Sequence, residues 1–117
     1  MTATEMESAV VRRMLADDTL RPVQRVFEAA SVEVTDRERS AVGFISSFRR
    51  TGATKLFADG VSLRWGRVMG RVNAEVDVDF VVYVDDGYIA GVECVTFGGE
   101  PFPVDLRDFE LTDLPRH

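Results

Sequence analysis

Val76-Asp77-Val78-Asp79-Phe80-Val81-Val82-Tyr83-Val84, then Asp85-Asp86-Gly87, then Tyr88-Ile89-Ala90-Gly91-Val92-Glu93-Cys94-Val95-Thr96-Phe97, is the stretch that decides the fold. Alternation of apolar and polar residues on either side of an Asp-Gly turn predicts a β-hairpin, with glycine supplying the positive φ. The even-numbered side chains from Val76 to Val84 share one face, and Glu75, Asp77 and Asp79 line the other. A three-residue loop at 85–87 sets Asp79 opposite Glu93. A two-residue loop at Asp86-Gly87 sets it opposite Cys94 instead.

Upstream, Val61 or Leu63 to Asn73 reads as a strand interrupted by Gly66 and Gly70, with a bulge or sharp bend at the glycines. Before it, Thr51 to Gly60 reads as a loop that tucks Leu56 and Phe57 inward. Val42, Phe44, Ser46 and Phe48 alternate, as do Val32 and Val34, so a strand pair is predicted around a charged turn at Asp36-Arg37-Glu38-Arg39. Downstream, Gly98-Gly99-Glu100-Pro101-Phe102-Pro103 cannot continue a ladder, and a short last strand is expected near Phe109–Leu111.

The N-terminal third has a helical period. Thr4 and Glu7 form a capping-box pattern, followed by Met6, Val10, Val11, Met14 and Leu15 on one side. Arg12, Arg13 and the early glutamates are expected on the other. Thr19 as a cap, Pro22 in a first turn and the stripe Val23, Val26, Phe27, Ala30 predict a second short helix. The expectation is a single α+β domain over residues 1–117, with two short N-terminal helices packed on a mostly antiparallel sheet of five or six strands.

Composition narrows the function classes. The 117 residues carry a net charge of −6, with 9 basic against 8 acidic groups in residues 1–58 and 5 against 12 in residues 59–117. That field repels phosphate backbones and attracts a basic protein, so no nucleic acid is expected, although Arg49, Arg50 and Lys55 form a local basic group. No apolar run approaches the roughly 20 residues that cross a bilayer. One cysteine and the absence of a secretory pattern in MTATEMESAVVRR point to the cytoplasm.

His117 is the only histidine, so neither a histidine general base nor a Cys/His zinc site has its residues. No catalytic residue, metal or cofactor is assigned. Cys94 beside Glu93 reads as an unreactive structural thiol. The candidate partner-binding residues are Glu75, Asp77, Asp79 and Glu93, with Trp65 and Phe102 as aromatic anchors. Cross-strand pairing of the acids with Arg67 and Arg71 is the structural alternative.

Two stretches carry a resemblance: Val34-x-x-Arg37-Glu38 running into Val42-Gly43-Phe44, and Asp86-Gly87-Tyr88 leading through Val92-Glu93 to Thr96-Phe97-Gly98-Gly99-Glu100-Pro101. Over residues 20–103 the chain resembles a group of small uncharacterised bacterial proteins, with Ser40-Ala41 in place of Thr-Gly and Val92 in place of Leu. That resemblance implies a fold outline and no activity. In size and charge the chain is also similar to immunity proteins that neutralise bacterial toxins. The leading expectation is therefore a non-enzymatic, immunity-like binding protein that engages a basic partner. The alternatives are a small-ligand binder or enzyme using Asp79 and Glu93, and a homodimer through a sheet edge.

Overall fold

The central hairpin lies in the middle of a six-stranded sheet, all of whose pairings are antiparallel. The structure, a computed structural model, describes residues 1–114. One helix, α1 (Glu5–Leu15), precedes strands β1 (Val34–Ser40), β2 (Gly43–Phe48), β3 (Leu63–Val72), β4 (Val76–Asp85), β5 (Tyr88–Thr96) and β6 (Phe109–Asp113). Their spatial order is β1-β2-β5-β4-β3-β6. Among the described residues no helix is long and apolar enough to cross a membrane.

The helix starts where its capping box predicts. The Glu7 amide donates to the Thr4 hydroxyl at 3.1 Å, and the Thr4 amide donates to the Glu7 carboxylate at 2.8 Å. Met6, Val10, Val11, Met14 and Leu15 are buried against the sheet, in one core with Val68, Phe80, Val82, Ile89 and Val92. Glu7 is not on the solvent side as expected. Its side chain is 0 % exposed and receives Arg37 Nη2 at 2.7 Å and the Ser46 hydroxyl.

The second predicted helix is absent. Residues 19–28 form no helix, and only a single 3₁₀ turn follows at Ala29–Ser31. Competing hydrogen bonds explain the difference. The Asp17 carboxylate accepts from the Thr19 amide at 3.0 Å and its hydroxyl at 2.7 Å, which closes a local turn. Arg21 then adopts φ +52°, and the Val23 and Gln24 amides donate to the Leu56 carbonyl rather than to carbonyls four residues back. Phe27 is buried, but Val23 and Val26 face solvent, so the apparent stripe is not an inward face.

Two further expectations shift. The run Asp36–Arg39 is part of β1, and the chain reverses between Ser40 and Gly43. Arg37 can sit in a strand because its guanidinium points inward to Glu7, which no local pattern reveals. The β4–β5 hairpin has the two-residue loop Asp86-Gly87, at φ +49° and +81°, as a type I′ turn requires. A bulge then intervenes, because Tyr83 pairs with Gly91 while Val84 pairs with Ile89. Asp79 therefore faces Val95, and Glu93 faces Val81, so neither register expected from the sequence is the observed one. The bulge between Trp65 and Val68 in β3 agrees with the Gly66 signal, and Leu56 and Phe57 are buried as expected.

The tip of this hairpin is locked under the 55–61 loop. Gly87 donates to the Val61 carbonyl and accepts from the Leu56 and Phe57 amides. A Cβ at Gly87 would lie 2.5 Å from the Phe57 carbonyl oxygen and 2.6 Å from that of Ala58. Gly87→Ala should therefore cost about 1–3 kcal/mol in a denaturant melt. Gly52→Ala, in open space at an ordinary φ, should change stability little. Equal midpoints for the two variants would contradict this packing.

Candidate functional site

The helix and the loops around residues 16–33 and 49–62 cover one face of the sheet and leave the other open. On the covered face lie Phe44, Ser46 and Phe48 of β2, Val78, Phe80, Val82 and Val84 of β4, and Val92 and Cys94 of β5. Strand alternation sends the intervening residues to the open face. The cross-strand register arranges them in rows. One row runs Glu38, Ile45, Glu93, Val81, and the next runs Ser40, Gly43, Val95, Asp79, Met69, Thr112.

Each acid in these rows sits among apolar neighbours. Glu93 has Ile45 and Val81 as its cross-strand partners, and Asp79 has Val95 and Met69. Ile45 is 41 % exposed and Val95 36 %, so the patch presents apolar side chains to solvent as well as charge. Glu38, Asp79 and Glu93 form no ion pair among the described residues. The Tyr83 hydroxyl donates to Glu93 at 3.3 Å and accepts from Arg64 at 3.3 Å, and the Tyr83 ring lies under the Arg64 guanidinium. Open depressions of about 450 and 570 Å³ flank Ile45 on this side, the first reaching Glu93 and the second Tyr83.

The other sequence candidates separate from this patch. Asp77 pairs with Arg71 at 3.3 Å, and Glu75 lies 3.8 Å from Arg107, both exposed pairs of the kind worth little. Trp65 is 6 % exposed, and its indole N–H donates to the Asp17 carboxylate at 2.9 Å, which makes it a core residue that ties β3 to the end of α1. Phe102 packs edge-on against Phe44, with ring centroids 5.7 Å apart, on the covered side. The basic group is spent within the chain: Arg49 pairs with Glu33, Arg50 with Asp85 and Lys55 with Asp59. His117 lies outside the described residues.

Glu38 escapes a sequence reading because residues 36–39 look like a turn. Continued at period 2 from the buried Val32 and Val34, Glu38 would fall on the covered face, and only the register shift between Val34 and Asp36 turns it to the open one. Asp79 and Glu93 share a face as diagonal neighbours rather than a directly opposed pair, and both stand toward solvent rather than between helix and sheet. Among the described residues no group of three or more His, Cys, Asp or Glu is placed to hold a metal ion. Comparison with family models, with curated proteins and with solved structures gave no match.

Burial among its apolar neighbours raises the Asp79 carboxyl above its ordinary value of 3.8, helped by the negative charge of Glu93 and opposed by a hydrogen bond from the Phe80 backbone. Burial likewise pushes the Cys94 thiol up to about 12, with the charges of Asp79, Glu7 and Glu93 adding to it. Cys94 should therefore resist iodoacetamide in the native protein at pH 8 and alkylate on unfolding, and rapid native alkylation would contradict its placement. For Asp79 the folded state binds its proton more tightly than the unfolded chain does. Its contribution to stability therefore falls as pH rises from the ordinary carboxyl range through the raised value. Asp79→Asn should raise the thermal midpoint at pH 7 and lose that advantage near pH 3, whereas a lower midpoint at pH 7 would refute the assignment.

Proposed function

We propose that this protein is a non-enzymatic binding protein, whose open sheet face docks a basic protein partner that carries apolar side chains beside its Lys or Arg residues. The observation that carries this reading is the set Glu38, Asp79 and Glu93, carboxylates without an ion-pair partner among the described residues, interleaved with exposed Ile45 and Val95. An acid held among apolar groups without a cation costs stability in the free protein, and a cationic partner would recover that cost on binding. Asp79, with its raised carboxyl, is the clearest case. Glu75 and Asp77, already paired, are peripheral in this reading.

The specific form suggested by the small size and acidic balance is an immunity-like role, in which the partner is a cationic toxin. Docking by charge onto an open face brings fast, salt-sensitive association and needs little rearrangement of the sheet. Catalysis by Asp79 and Glu93 finds less support, since the two carboxylates are not directly opposed across the strands.

Selection of displayed random peptides against the immobilised protein tests the proposal through the chemistry of the partner alone. Enriched sequences should combine Lys or Arg with apolar residues, and synthetic copies should bind about tenfold or more weakly to Asp79→Lys/Glu93→Lys. Glu75→Lys/Asp77→Lys should bind nearly as the native protein does. Enrichment of neutral or acidic peptides, or binding indifferent to the Asp79 and Glu93 reversals, would overturn it.

A further inference from the structure

A second feature lies on the covered side of the sheet, where the loop after β5 closes over the start of α1 and strands β1 and β2. It leaves a cavity of about 250 Å³ with an apolar wall of Met6, Phe44, Phe102 and Val104 and a polar wall that includes Arg37 and Arg39. The volume is below the ~300–1,000 Å³ of sites for drug-sized ligands, so its occupant is small. Val104 is 99 % exposed at the rim, a fully solvated apolar side chain that a bound molecule would cover.

The two guanidinium groups are not equivalent. Arg37 Nε donates to the Ser46 hydroxyl at 3.0 Å and Nη2 to Glu7 at 2.7 Å, so the Arg37 charge is balanced by a buried carboxylate. Its Nη1 has only the Met1 thioether, at 2.9 Å, a weak acceptor for a donor on a side chain just 11 % exposed. Arg39 is exposed and takes part in no ion pair among the described residues. The polar wall thus offers an undersatisfied donor and one uncompensated positive charge.

From this geometry we propose that the cavity binds a small organic monoanion: a carboxylate held by Arg37 Nη1 and Arg39, with an aromatic or short alkyl body against Phe44 and Phe102. One net positive charge matches one negative charge, and a carboxylate accepts the paired donors of a guanidinium. The Phe44–Phe102 pair, packed edge to face at 79° between ring planes, supplies an aromatic wall for the body. This site uses cations on the covered side, whereas partner docking uses acids on the open face. Either can therefore fail without the other.

Fluorine NMR with 4-fluorobenzoate as the probe tests the site in the full chain. Saturable one-site binding is expected, weakened roughly tenfold or more by Arg39→Gln, as for loss of a hydrogen bond to a charged group. Val104→Glu, at the solvated rim where folding is not at stake, should also weaken it by placing like charge beside the carboxylate. Arg64→Gln, which removes a guanidinium from the open face, should leave it unchanged, and neutral 4-fluorotoluene should not compete. Absence of saturable binding, native-like affinity in Arg39→Gln and Val104→Glu, or equally good binding of the neutral analogue would overturn the proposal.

Discussion

The buried carboxylate of Glu7 is the interaction on which the arrangement depends. Within one turn of the helix start it accepts from the Thr4 amide, from Arg37 of β1 and from Ser46 of β2. A charge this deep is tolerated only when its lone pairs are filled, and here three groups from three elements fill them. At the other end of the helix a second buried carboxylate, Asp17, accepts the Trp65 indole of β3. An 11-residue helix is about 16 Å long, and β2 and β3 stand three strand spacings apart, about 14 Å. The helix therefore bridges the sheet from one anchor to the other, and the apolar side chains between them meet β3 and β4.

Anchoring at both ends commits the single helix to one face. Among the described residues there is no second α-helix with which to cover the other, because the segment that could have formed one spends its amides on the Leu56 carbonyl and closes a loop over the hairpin tip. The open face thus carries acids and apolar side chains interleaved within each cross-strand row. Between the two anchors the core is a continuous apolar cluster, and burial raises the pKa of its one thiol. The packing stops in two places, the open face and the loop-covered cavity beside β1, and these are where the two proposed binding sites lie.

Features written in local sequence were legible. The capping box at Thr4 and Glu7, the Asp-Gly turn, the bulge at Gly66 and the inward Leu56 and Phe57 each follow from neighbouring residues. Features set by distant partners were not. Glu7 reads as an exposed cap residue until Arg37, thirty residues away, turns out to face it. Arg37 in turn makes residues 36–39 look like a turn until that buried partner is known. The hairpin register fails for a subtler reason: the two-residue loop alone would set Asp79 opposite Cys94, and the bulge at Ala90, with no signature beyond two small residues, moves it one further to Val95. The acidic face was therefore recognisable as a face, while the identity of its unpaired members, including Glu38, required the strand order.

A double-mutant cycle on Glu7 and Arg37, followed by denaturant unfolding, tests the central anchor most directly. Glu7→Met and Arg37→Met should each lose about 3–5 kcal/mol, because each leaves a buried charge without its partner, and the double variant should lose less than the sum by a wide margin. Small, additive losses would mean that the pair does not hold the helix on the sheet, and would contradict the account of why the opposite face is left open.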